Sequence, residues 1–218
     1  MARLTNTQKR RGTRGYESAL RTEQMQRVRE RLLDAAVRLL SEGPSEDLSL
    51  RAVAERAQVS VPTAYRYFPS MEPLVDALFE HINARLGFIK FPENFDEALA
   101  LVPVLYRGFE ANDALVRAYV RTPVGQKVRR RHQTERYALM RRCIDLSYPQ
   151  LAEEARQRLS ALMQSMMSGQ TWLVFSESWG LDASGAAATA LFALRAFRDA
   201  LAKNTHALDP TPFHRGDA

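Results

Sequence analysis

The chain has 218 residues, 45% of them hydrophobic and 26% charged, a balance that excludes disorder throughout and leaves room for a substantial core. No run approaches the roughly 18 uncharged apolar residues of a membrane helix, and the lone Cys143 excludes a disulfide scaffold and a cysteine-built zinc site. Lys and Arg number 31 against 25 Asp and Glu, a formal charge of +6, so a polyanion such as nucleic acid is the partner class that charge favours.

Residues 1–26 hold six basic and two acidic side chains, without apolar periodicity and with Gly12 and Gly15 inside the run. They read as a basic arm, disordered or loosely helical, and equally as a plain solvated tail. The N-terminus lacks the apolar segment of a secretory signal, so a cytoplasmic location is expected.

The first strongly periodic helix spans about residues 27–42, where Val28, Leu32, Ala36 and Leu39 form a stripe widened by Leu33 and Leu40. Gly43-Pro44 stops it. Ser49 then suits an N-cap, with Leu48 and Val53 at the staple positions around it, and opens a short helix to about Ala57. Gln58-Val59-Ser60 is a turn. Ser60 caps a third helix, Val61 to Phe68, with Pro62 in the first turn, where a missing N–H costs nothing. A fourth helix follows from about Met71 to Leu86. Gly87–Phe95 is a connection, and Asn94 with Glu97 resembles a capping box for a helix to about Glu110, kinked at Pro103. A short helix at Asp113–Arg121 precedes Thr122-Pro123, an N-cap and N1 pair for a long helix to about Ser147. Two more are expected, roughly 151–178 and 186–204. No strand pattern or repeat competes, so the fold class is all-α.

Residues 48–74 carry the functional signal. Two short helices joined by a three-residue turn cross steeply and need small facing residues, which Ala54 and Ala57 supply. The second helix bears Thr63, Tyr65, Arg66 and Tyr67, as a helix offered to a DNA major groove would. A helical pair that only packs leaves those side chains unexplained.

The same stretch resembles the tetracycline-repressor (TetR) family of bacterial transcriptional regulators. That family has a Thr/Ser-capped helix ending in Ala-Gly-Val-Ser and then Thr-x-Tyr-x-x-Phe. Here the text is Ser49, then Ala57-Gln58-Val59-Ser60, then Thr63-Ala64-Tyr65-Arg66-Tyr67-Phe68, and the match covers about residues 27–80. Two positions depart from it: the usual turn glycine is Gln58, and a frequent phosphate-contacting lysine at the start of the fourth helix is Met71. The basic arm can supply a replacement cation, as arms that enter a minor groove do.

The resemblance and the geometry together assign roles. Val61, Pro62 and Thr63 lie nearest the bases, where Val61 or the Thr63 methyl can touch a thymine methyl. Arg66 and Arg51 are suited to bidentate reading of guanine, and Ser49, Ser60, Tyr65 and Tyr67 to phosphate contacts that set register. The expected function is a sequence-specific, homodimeric repressor released from a palindromic operator by a small-molecule effector. The alternative is a helical adaptor that keeps the fold without binding DNA.

For the C-terminal helices the resemblance implies a dimer and often a ligand pocket, so the expected division is a 1–26 arm, an N-terminal three-helix helix-turn-helix DNA-binding domain over 27–75 and a helical C-terminal effector-binding and dimerisation domain over 76–218. Leu159, Leu162, Met163, Met166 and Leu173, with Leu191, Leu194, Phe197 and Leu201, form apolar stripes suited to an intermolecular four-helix bundle or to an intramolecular core. Candidate ligand contacts are Tyr106, Phe109, Tyr119, Tyr137, Trp172 and Phe175, each also suited to plain core. Arg129 to Arg136 is a run of eight polar residues. It reads as an exposed segment or as one that turns His132, Gln133 or Arg136 toward a polar or anionic effector. No enzymatic constellation emerges: Cys143 and His132 are too far apart along one helix for a catalytic pair, and the four histidines show no metal spacing. No cofactor, metal or membrane partner is expected. The partners are double-stranded DNA, a second copy of the chain and a small molecule.

Overall fold

A computed structural model describes residues 7–42 and 48–208, and the regular elements in them are all helical: α1 (Thr7–Ser41), α2 (Leu50–Ala57), α3 (Val61–Tyr67), α4 (Met71–Arg85), α5 (Phe95–Ala111), α6 (Asp113–Arg121), α7 (Pro123–Arg131), α8 (Gln133–Ser147), α9 (Glu153–Met166), α10 (Gly169–Leu173), a π-helical turn (Val174–Ser178) and α11 (Ala183–Lys203). Among the described residues no helix is long and apolar enough to cross a membrane. Gly43-Pro44, expected to stop the first helix, lies outside the described residues.

The helix starts follow local chemistry. Ser49 Oγ accepts from Ala52 N at 3.2 Å, Ser60 Oγ from Thr63 N at 3.3 Å and Thr122 Oγ1 from Gly125 N at 3.0 Å. Asn94 and Glu97 bond reciprocally: Glu97 N donates to Asn94 Oδ1 at 2.9 Å and Asn94 Nδ2 to the Glu97 carboxylate at 2.9 Å, which also accepts from Glu93 N at 2.9 Å. Pro103 sits inside α5 without ending it.

Three expectations about helix extent change. The first helix begins at Thr7 rather than near residue 27. Its polar segment gains exposed pairs one turn apart, Arg27 with Glu23 at 2.6 Å and Gln26 with Glu30 at 3.1 Å, so helix persists beyond the apolar stripe that announced it. The long helix expected from Pro123 to Ser147 breaks at His132, whose φ is −103° and ψ 11°. There the imidazole stacks on Phe79 of α4, with ring centroids 4.1 Å apart, and Arg131 chelates Asp76 of the same helix, one arm at 2.9 Å. These contacts turn the chain. The helix expected over 151–178 divides at Met167-Ser168, because Ser168 caps a new helix by accepting from Thr171 N at 3.2 Å. Its end is the π-helical turn.

The turn between α2 and α3 accommodates the departure at Gln58. That residue has φ 55° and ψ 45°, left-handed backbone. Gln58 N donates to Glu55 O at 3.1 Å and Val59 N to Ala54 O at 3.0 Å, the two bonds of a Schellman motif. Arg31 of α1 donates to Ala57 O at 2.6 Å and closes the end of α2. A non-glycine residue here carries about 1–2 kcal/mol of conformational cost. Gln58→Gly is therefore expected to raise stability by about 1 kcal/mol net of the added freedom of the unfolded chain, read as a higher urea midpoint at constant slope. An unchanged or lower midpoint would show that the Gln58 side chain compensates.

Leu32, Leu33, Ala36 and Leu40 of α1, Leu50 and Val53 of α2, Phe68 after α3, and Leu74, Leu78 and Ile82 of α4 are buried in one cluster that continues without interruption to Leu194 and Leu201 of α11. The helix-turn-helix unit thus shares its core with the rest of the chain, α4 lying in both.

Candidate nucleic-acid interface and a cavity behind it

In α3 the burial is one-sided. Ala64 and the capping residue Phe68 face the core, while Pro62, Tyr65 and Arg66 are exposed and Val61, Thr63 and Tyr67 half-buried. Ser60 Oγ and Thr63 Oγ1 lie 2.7 Å apart, which fixes the Thr63 rotamer at the start of the helix. The Arg66 guanidinium lies over the Tyr67 ring at 5.7 Å, and the Arg29 guanidinium lies over the Phe68 ring at 5.6 Å, tying α3 to α1. On α2, Arg51 is exposed and paired with Glu55 at 3.0 Å, so it reaches a base only by exchanging that partner. Ser49 and Ser60 each accept one capping bond on Oγ, and the Ser60 hydroxyl also shares a hydrogen bond with that of Thr63. Of the residues assigned to DNA from the sequence, Arg51, Ser60, Pro62, Tyr65 and Arg66 are exposed and Ser49, Val61, Thr63 and Tyr67 half-buried, and the Schellman turn joins the two helices that carry them.

Residues 32–78 match the model of a family described as bacterial regulatory proteins of the tetR family. This segment of the chain is similar to the TetR family. The matched residues run from the buried part of α1 through α2 and α3 into α4, which is the shared core just described. The chain is similar to the HTH-type transcriptional repressor KstR of Mycolicibacterium smegmatis, 49% identical over 73 residues, 32% of this chain and 36% of that protein. It is also similar to the KstR repressor of Mycobacterium tuberculosis, 39% identical over 114 residues, 48% of this chain and 52% of that protein. The chain thus spans about a third to a half of the length of these relatives. The crystal structure of a TetR transcriptional regulator from Rhodococcus sp. RHA1 is 24% identical over 78% of this chain and 96% of its own, with a TM-score of 0.46.

Behind the helix-turn-helix unit, α4 to α9 and the connection after α4 enclose a cavity of about 70 Å³. It adjoins a wider, solvent-open basin of about 400 Å³, the two sharing Val120, Arg129, Arg136, Gln164 and Ser168 in their walls. Of the aromatic residues singled out in the sequence, Phe109 and Tyr119 line the inner cavity and Tyr137 the basin; Arg136 lines both. Tyr106, Trp172 and Phe175 instead cluster with each other: Tyr106 is fully buried, donates to Met166 O at 2.8 Å, and lies 6.2 Å from the Trp172 ring and 6.3 Å from Phe175. His132 lies outside both walls, stacked on Phe79 and 3.1 Å from Asp76.

The cavity also holds residues that sequence reasoning passed over. Arg129 sits above the Tyr119 ring at 5.9 Å and donates to Gln170 at 3.2 Å. Its signal was the polar run itself. Gln164 of α9 and Phe88 and Phe91 of the connection had no local signal, since the fold alone brings them to the wall. Burial pushes the Tyr119 phenol up to about 12, which keeps it a neutral donor at any physiological pH.

Proposed function

We propose that the chain is a transcriptional repressor that binds a palindromic operator as a homodimer and leaves it when a small molecule enters the cavity behind α4. The observation that carries this reading is the outer face of α3, with exposed Tyr65 and Arg66 and half-buried Thr63, in a segment that matches the TetR family. Val61, Pro62 and Thr63 meet the base edges, Arg66 and Arg51 read guanine, and Ser49, Ser60, Tyr65 and Tyr67 hold phosphates. The basic residues of segment 1–26 add phosphate attraction beside the domain of residues 27–75. Residues 76–218 supply the cavity and the dimer surface. The dimer reading is supported by the exposed Phe192 on α11, the half-buried Leu191 next to it, and the half-buried Leu162 and Met166 on α9. The named relatives are repressors acting on DNA, and the cytoplasm is the compartment this function requires.

Coupling runs through α4. Arg131 and His132, at the junction of two cavity-wall helices, hold Asp76 and Phe79 on the helix that begins at the end of the DNA-binding unit. A ligand that moves the wall shifts α4 and with it the spacing of the two α3 helices, by no more than its differential affinity for the two states.

Selection of genomic fragments by the purified chain at about 150 mM salt, repeated with Arg66→Ala, tests the reading. One palindromic motif is expected, with the variant losing about 1–3 kcal/mol and relaxing its preference at a single base position. Recovery of random fragments alone would reject a sequence-specific regulator, and an equal loss on every sequence would make Arg66 a phosphate contact.

A further inference from the structure

We infer that the cavity takes an amphipathic anion, its apolar body in the inner recess and its carboxylate or phosphate head at the mouth among Arg129, Arg130 and Arg136. This rests on the reading of the cavity as the effector site. It goes further by naming the chemistry of the ligand.

The first ground is charge. Arg129, Arg130 and Arg136 all line the basin, and neither the basin nor the recess has an Asp or Glu in its wall. Three other arginines of α6, α7 and α8 are neutralised: Arg117 meets Asp113 and Glu177, Arg131 meets Asp76, and Arg141 meets Asp145 and Glu153. Arg136 has no such partner among the described residues; the groups that bear on its charge are Tyr119, Arg129 and Tyr137. It is half-buried, and that burial holds its guanidinium below the usual arginine range. A partly desolvated cation without a counter-charge is destabilising in the empty protein and gains most from an incoming anion.

The second ground is unmet hydrogen bonding. Tyr119 is only 9% exposed and its hydroxyl has no partner, as is true of the buried Gln164 Oε1 in the same wall. The phenol donates, and the Gln164 end group donates once turned over, so both complement an oxyanion. The N-terminal end of α8 also reaches the basin through Gln133, and its first turn has no side-chain cap, adding positive potential from unpaired N–H groups. The third ground is the recess, where Phe88, Phe91, Leu105, Phe109, Met140 and Met167 offer only apolar surface. The two methionines adapt to an alkyl chain or a ring. A cation is repelled at such a mouth, and a neutral chain leaves the guanidiniums unsatisfied.

Calorimetry on the whole chain tests this with octanoate, octyl phosphate, octanol, octyltrimethylammonium and acetate. One of the first two is expected to bind at least about tenfold more tightly than octanol, with acetate and the quaternary ammonium showing no heat; the stronger of the pair identifies the head. Arg136→Gln should lower that affinity by about tenfold without lowering the melting temperature of the empty protein, and Arg136→Lys should restore part of it. Equal binding of octanol and octanoate, binding of the quaternary ammonium, indifference to Arg136→Gln, or no binding of any probe would each overturn the inference. Adding the probes to the DNA complex separates the two readings. Octanol that releases DNA where the anions do not would retain the effector site and reject its anionic character. An anion that binds tightly yet leaves the complex intact would retain the chemistry and reject the effector role.

Discussion

Phe192→Glu is expected to convert the proposed homodimer to a monomer and to lower operator affinity by at least about a hundredfold. Phe192 is 76% exposed on a helix whose opposite face, Ala186, Ala190, Leu194 and Leu201, is buried. The substitution therefore disturbs little within one copy, and the melting temperature of the dilute protein should barely move. Across a two-fold interface the same residue appears twice, so two carboxylates would enter an apolar seam and repel. Loss of the second α3 helix then brings binding toward the non-specific level, commonly about a thousandfold or more weaker than specific binding. Analytical ultracentrifugation and fluorescence anisotropy on the selected operator give both readouts. A variant that sediments as a dimer with full affinity would place the interface on another face.

The second large effect concerns stability. Gly108→Ala should destabilise the chain by about 3 kcal/mol, because the added Cβ has nowhere to go. It would lie 2.2 Å from Leu86 O and 2.7 Å from Leu86 C, backbone atoms at the end of α4, where Leu86 N is bonded to Ile82 O at 3.0 Å. Relief requires moving α5 away from α4, which disturbs the shared core rather than one side chain. In a protein of this size the expected fall in melting temperature is roughly 6–12 °C. Gly180→Ala provides the contrast. That glycine has φ +65° but nothing within 4 Å of the added methyl, so its cost is conformational alone, about 1 kcal/mol. If the two variants melt together, the close approach at Gly108 is not limiting.

What was legible in the sequence was local. Ser49, Ser60, Asn94 and Thr122 each stand next to the helix they cap, and the α2–α3 pair declared itself through residues fewer than twenty apart. The basic stretch before residue 27 was read as an arm because an apolar stripe reports where a helix is buried, not where its hydrogen bonding stops. The interruption at His132 was not legible, since its cause is Phe79 and Asp76 on a helix more than fifty residues earlier. The cavity follows the same rule. Tyr106, Trp172 and Phe175 were as aromatic as Phe109 and Tyr119, and only packing separates a cluster that fills the interior from residues that edge an opening. Gln164 acquires meaning only when α9 is set beside α6 and α8.

The junction at His132 has a further consequence. Under the proposed mechanism one joint serves two ligands, and binding free energy passes through it in both directions. Whatever factor the small molecule imposes on operator affinity, the operator imposes on affinity for the small molecule. A copy seated on DNA therefore holds its ligand less tightly than a free copy. Each additional operator in the genome withdraws protein into that weaker-holding form and raises the ligand concentration at which the whole set of genes responds.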